Sequence, residues 1–170
     1  QLVELVHQKL DMNTEPENAI DPDANQLLFS GRQRAFIKVQ DGCRYRCTYC
    51  IITLARGEEQ SRPKQEIINE INFLASQNIK EVVITGVHLG GYGADQNSDL
   101  AELVGTILTE TDIPRIRMGS LEPWELHDGF WKLFENPRVM PHLHLPPQSG
   151  ADSVLRRMAR RCRTDEFKQL

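Results

Sequence analysis

Cys43, Cys47 and Cys50 stand in the run GCRYRCTYCII from Gly42 to Ile52, and their C-x3-C-x2-C spacing is the part of this chain best suited to chemistry. Three thiolates on one short loop can hold three corners of a cubic iron–sulfur cluster and leave its fourth iron open to another ligand. An open iron points to catalysis. A structural zinc site is the alternative, and it normally requires four closed ligands, often as two matched pairs. No second pair is present: Cys162 lies more than a hundred residues away, and His88 or His144 could complete the set only through the tertiary fold.

The elements that must position this loop read as a βα series. Residues Ala35–Gln40 alternate apolar and polar like a half-buried strand and lead directly into the cysteines. Pro63 then marks a helix entrance, and Ile67, Ile68, Ile71, Phe73 and Leu74 recur at helical spacing as far as Asn78. The pattern repeats with a strand over Lys80–Thr85, a glycine-rich loop over Gly86–Ser98 and a helix over Asp99–Thr109. A third strand, Arg115–Ser120, precedes a helix over Glu125–Glu135, and a fourth, His142–Leu145, precedes one over Ala151–Arg161.

Strands that each feed a helix imply a parallel sheet with crossover connections, an α/β fold. A closed barrel of eight units needs about 250 residues, so about four units make a partial (β/α) barrel. The cysteine loop, the glycine-rich loop, Glu122 and Gln148 all follow their strands. They should gather on the C-terminal face of the sheet, where such folds place active sites.

Composition adds limits rather than detail. The chain is 39% hydrophobic and 26% charged with a formal net charge of -4, which fits a soluble globular domain. No apolar stretch is long enough to cross a bilayer, and three clustered thiols fit a reducing, cytoplasmic compartment. Residues 1–34 read as the end of a preceding domain plus a polar linker, and 35–170 as the core. The glycines at 90, 91 and 93 lack a GxxxxGK[ST] pattern and read as a flexible loop, not a phosphate cradle.

His88, at the mouth of that loop, is a candidate substrate contact or a simple loop histidine. Arg56 and Arg62 could offset cluster charge or grip an anion, or else pair with Glu58 or Glu59. The basic run holding Arg156 and Arg160 could touch RNA phosphates, or form a solvated helix face.

Several motifs carry a family likeness. The chain resembles the radical S-adenosylmethionine (SAM) superfamily in its cysteine loop, with Tyr49 just before the last cysteine. More narrowly it resembles the methylthiotransferases, through KVQDGC (38–43), CTYCII (47–52), ARG (55–57), SRP (61–63), HLHLP (142–146) and QSG (148–150). The motifs TGVHL (85–89), GYG (91–93) and SLEP (120–123) are most similar to the branch that acts on threonylcarbamoyladenosine in tRNA. Other branches act on isopentenyladenosine in tRNA or on a ribosomal protein. Pro147 and Cys162 depart from the pattern, which usually has Leu and Tyr there, and the second proline bears on where Gln148 sits.

The resemblance implies a partial barrel of the radical SAM type and a [4Fe-4S] cluster on Cys43, Cys47 and Cys50 whose open iron chelates SAM. It implies that Tyr49 flanks the adenine, that Thr85, Gly86 and Val87 present backbone groups to the SAM amine, and that Glu122, His144 and Gln148 face SAM or the base. It further implies a radical that takes hydrogen from C2 of the modified adenine. A flavodoxin or ferredoxin would supply electrons, and a second [4Fe-4S] cluster and an RNA-binding domain would lie outside this chain, which would be inactive alone.

Overall fold

The computed structural model describes residues 33–170. The preceding domain and linker expected over 1–34 therefore lie outside the described residues, but for the last two.

Strand β1, Arg34–Asp41, buries Ala35, Ile37 and Val39 and leaves Phe36 and Lys38 exposed, the alternation its sequence demands. After the cysteine loop come a short helix α1, Ile52–Arg56, and a two-residue strand β2, Gln60–Ser61, antiparallel to β1. Helix α2, Lys64–Ser76, buries Ile67, Ile68, Ile71 and Leu74, while Phe73 stays exposed. It stops where Asn78 takes a left-handed conformation (φ 67°) and the Ile79 N–H reaches back to the Leu74 carbonyl at 3.1 Å.

Strand β3, Glu81–Gly86, is followed by a single turn at Leu89–Gly91 and then by helix α3, Leu100–Glu110. The Asp99 side chain caps α3 by accepting the Glu102 N–H at 2.7 Å. Strand β4 is Arg115–Met118. The sheet order is β2-β1-β3-β4, with β1, β3 and β4 parallel and in chain order. That winding without reversal is the winding of a barrel, so the chain forms a partial α/β barrel. Helix α2 packs on β1 and on α3, and the side chains of Ile37, Ile71, Val82, Ile84, Val104, Ile107 and Ile116 between them are fully buried.

The last unit departs from expectation. No strand forms over His142–Leu145; the chain runs beside β4 with only two isolated parallel bridges, Ile116 to Val139 and Ser120 to His144. Pro141, Pro146 and Pro147 remove the N–H groups that a continuous ladder would need. The helix expected over Glu125–Glu135 is reduced to α4, Asp128–Trp131, between two 3-10 turns at Pro123–Glu125 and Lys132–Glu135. Gly129 weakens its centre and Pro137 ends it. Helix α5 spans Asp152–Arg157, shorter than the sequence suggests, because Ala159 turns left-handed (φ 56°). A final helix, α6, covers Thr164–Lys168.

Candidate active site

The cysteine loop leaves the C-terminal end of β1 through Gly42, whose φ of 72° suits glycine. A Cβ there would also fall 1.9 Å from the Glu58 carbonyl oxygen. The buried amide of Gln40 donates to the carbonyls of Asp41 and Gly42 at 2.7 and 2.9 Å, and its oxygen accepts the His88 N–H at 2.7 Å. One side chain thus ties the loop entrance to the end of β3. The far side of the loop rests on α5, where the Thr48 hydroxyl donates to the Arg157 carbonyl at 2.9 Å and the Thr48 N–H to that of Met158 at 3.2 Å.

All three thiols are free: Cys43 and Cys47 are half-buried and Cys50 is exposed. Cys47 and Cys50 line an open cavity of about 340 Å³, and Cys43 lines a second one of about 380 Å³ together with Arg44, Thr53 and Glu59. Burial pushes the Cys43 thiol above its ordinary value, and the neighbouring sulfurs and Glu59 push in the same direction. Three thiols whose ionised forms repel one another suit a cationic metal centre. The Tyr45 N–H already points at the Cys43 sulfur, 3.4 Å away, as backbone donors do around iron–sulfur clusters. These residues fit a cluster held at three corners.

Beside them lies an ion network that the sequence did not announce. His88 is 4% exposed and sits between two carboxylates, with Nδ1 on Glu59 and Nε2 on Glu125 Oε1 at 2.6 Å. Burial alone would lower its pKa, but the hydrogen bonds and charges of Glu125 and Glu59 prevail and hold it above the ordinary value. Arg44 pairs with Glu59 at 2.6 Å, and the Tyr45 hydroxyl donates to Glu125 at 2.9 Å while accepting from the Trp124 indole at 2.9 Å. Both ring nitrogens of His88 face carboxylate oxygens, and the ring lies close to Cys43 and Glu59.

Gly90 and Gly91 serve this network rather than flexibility. A Cβ on Gly90 would meet Glu125 Oε2 at 1.9 Å, and one on Gly91 would meet Glu59 and His88 at 2.6 Å.

Arg160 also departs from expectation. Its side chain is 2% exposed rather than on a solvated face, because the turn at Ala159 folds it inward. It makes a two-pronged pair with Glu122, one prong at 2.9 Å, and donates to the Pro146 carbonyl at 2.9 Å. Its guanidinium stacks 4.7 Å from the centre of the Trp124 ring, and Nη1 lies 3.9 Å from the Cys47 sulfur.

The other candidates are placed as follows. Tyr49 is half-exposed at the loop rim next to Cys47 and Arg160, with burial pushing its phenol up. Thr85, Gly86 and Val87 end β3; a Cβ on Gly86 would lie 2.9 Å from the Gln40 amide oxygen, so the close approach there requires glycine. His144 is exposed and shares a 2.7 Å hydrogen bond with Ser120. Gln148 is exposed and left-handed (φ 72°) just after Pro147. Arg56 pairs with Asp41 at 3.4 Å and Arg62 with Glu70 at 2.8 Å, not with Glu58 or Glu59. Arg156 is exposed.

The structure therefore brings together Cys43 with His88, and Cys47 with Tyr49, Glu122 and Arg160. Sequence reasoning missed Gln40, Tyr45, Glu59, Trp124 and Glu125; the paired glycines at 90 and 91 were the one sign of close packing there.

Comparison with known proteins gives a consistent picture. The sequence model of the Radical SAM superfamily matches residues 37–170. The chain is 43% identical over 144 residues to the threonylcarbamoyladenosine tRNA methylthiotransferase MtaB of Thermotoga maritima, covering 84% of this chain and 33% of that protein. It is 38% identical over 142 residues to MtaB of Bacillus subtilis, covering 82% and 32%. To the tRNA-2-methylthio-N(6)-dimethylallyladenosine synthase of Dictyoglomus thermophilum it is 40% identical over 152 residues, covering 88% and 34%. The chain thus spans about a third of the length of the curated relatives it matches. In fold it is similar to the radical S-adenosylmethionine methyltransferase TsrM of Kitasatospora setae, with a TM-score of 0.62 at 17% identity, over 80% of this chain and 27% of that one.

Proposed function

The chain belongs to the radical SAM superfamily, and from that premise we propose that residues 35–170 are the SAM-cleaving core of a methylthiotransferase acting on tRNA. The observation that carries this reading is the placement of Cys43, Cys47 and Cys50 on one loop at the C-terminal edge of the sheet, facing open space beside the end of β3. Those three thiolates would hold a [4Fe-4S] cluster and leave one iron for the amino and carboxylate groups of SAM. When bound, cluster and SAM supply reductive cleavage of the sulfonium and a carbon radical; orientation and exclusion of water fall to the protein.

Gly86 admits the close approach of Gln40 at the end of β3, and the strand-end backbone of Thr85–Val87 would present its polar groups to the SAM ammonium. Tyr49, half-exposed beside Cys47, offers a ring edge and face to an adenine. Glu122 has both oxygens on Arg160, so it acts through that arginine rather than as a free acceptor. His144, hydrogen-bonded to Ser120 beside the last bridge, would face SAM or the substrate base.

In the whole protein the substrate is the threonylcarbamoyl-modified adenosine beside the anticodon, methylthiolated at C2. A second cluster, the main RNA grip and the electron donor, a flavodoxin or ferredoxin, lie beyond this chain, and the setting is cytoplasmic. No helix among the described residues is long and apolar enough to cross a membrane. The comparable identity to the dimethylallyladenosine synthase favours isopentenyladenosine as the second reading. Mass spectrometry of tRNA nucleosides from cells lacking the gene separates the two. Loss of the 2-methylthio form of threonylcarbamoyladenosine, restored by the full-length protein, supports the proposal. Loss of only the isopentenyl counterpart supports the second reading, and unchanged nucleosides sink both.

A further inference from the structure

The Arg160 side chain touches the loops following β1, β4 and the last bridge at once. It reaches Cys47 after β1, Glu122 and Trp124 after β4, and the Pro146 carbonyl after the bridge at His144. A fully buried cation is expensive unless it is paired, and Glu122 supplies a fixed, two-pronged counter-charge. Among the described residues its Nε is buried without a hydrogen-bond partner. Ala159 accepts an unfavourable left-handed conformation, and the Arg160 N–H bonds the Leu155 carbonyl at 2.9 Å, to deliver the guanidinium inward.

We infer that Arg160, balanced by Glu122, is a positioning residue that sets the reduction potential of the metal centre held through Cys47. This rests on the cluster reading proposed above. Reduction adds negative charge to the cluster and its thiolates. A guanidinium N–H aimed at a ligating sulfur from 3.9 Å stabilises that charge, and burial keeps solvent from screening it. Glu122 tempers the effect. The two substitutions therefore have opposite signs: losing Arg160 makes the centre harder to reduce, and losing Glu122 makes it easier. A residue that merely held the loops together would move both potentials in the same direction or neither.

The test is an anaerobic redox titration, followed by electron paramagnetic resonance, of the iron- and sulfide-reconstituted protein and its Arg160→Gln, Arg160→Lys and Glu122→Gln variants. At the wild-type midpoint, Arg160→Gln should shift the ratio of oxidised to reduced centre about tenfold toward oxidised, equivalent to 59 mV for one electron. Arg160→Lys keeps the charge and should move it less than half as far. Glu122→Gln should shift the ratio toward reduced. If Arg160→Gln takes up no iron, Glu122→Gln decides: a shift toward reduced supports the inference, and no shift overturns it. Loaded variants that stay within twofold of wild type overturn the inference and leave the cluster reading standing. A wild-type protein that takes up no iron overturns the cluster reading, and this inference with it.

Discussion

Replacing Gly90 by Ala should destabilise the protein through one identified clash. The added Cβ would lie 1.9 Å from Glu125 Oε2 and 2.7 Å from its carboxyl carbon, while the backbone at Gly90 is not left-handed and would accept alanine. On backbone grounds alone the change would stabilise by about 0.4–1 kcal/mol, because alanine restricts the unfolded chain. The carboxylate must move instead, and it is held by the Tyr45 hydroxyl at 2.9 Å and His88 Nε2 at 2.6 Å. Disturbing two such bonds, one of them to a charged group, costs about 3 kcal/mol.

The net loss is then about 2 kcal/mol, which for a typical urea dependence lowers the unfolding midpoint by about 1 M. In a Glu125→Ala background the nearest remaining atom, Cβ of residue 125, is 3.4 Å away, so the same substitution should be neutral or stabilising. A double-mutant cycle by urea denaturation should give a coupling of about 2–3 kcal/mol. A Gly90→Ala protein as stable as its parent, or an equal loss in both backgrounds, would refute the close-packing role given to this glycine.

Two further outcomes follow from charged side chains held by partners away from the cysteines. Glu81 is 5% exposed among Arg34, Arg115 and Arg117; burial alone would raise its pKa, but the arginines prevail and hold it below its ordinary value of 4.5. Its contribution is therefore present above about pH 4.5 and lost as pH falls through the depressed value, so Glu81→Gln should be less stable at pH 7 and show a flatter acid limb in thermal unfolding. Arg138 donates to the carbonyls of Leu108, Thr111 and Ile113 at 2.7–2.8 Å, closing the C-terminal end of α3. Arg138→Ala should cost about 3 kcal/mol in urea unfolding, and a loss under about 1 kcal/mol would contradict that role.

Much of the scaffold was legible because single residues carry strong local signals. Alternation over Ala35–Gln40 gave β1, and the apolar stripe of Leu100, Leu103, Val104, Ile107 and Leu108 gave α3, with Asp99 as its cap rather than its first residue. Prolines at 141, 146 and 147 were visible too, yet the strand expected over His142–Leu145 did not form. The Glu59–His88–Glu125 network could not be read at all. Its carboxylates lie in polar segments 29 and 37 residues from the histidine, where an acidic side chain looks like surface. Arg160 was hidden for a different reason: a left-handed alanine, which no propensity predicts, turned one member of a basic run into the interior.

The central claim is that Cys43, Cys47 and Cys50 hold a cluster with one iron open to SAM. Anaerobic reconstitution with iron and sulfide, followed by electron paramagnetic resonance of the reduced protein with and without SAM, addresses it most directly. The account predicts about four irons per site and a spectrum that changes when SAM is added. It also predicts loss of iron on replacing any of the three cysteines by Ala, and no loss in Cys162→Ala. Stoichiometric zinc with no response to SAM, or iron retained in all three alanine variants, would contradict it.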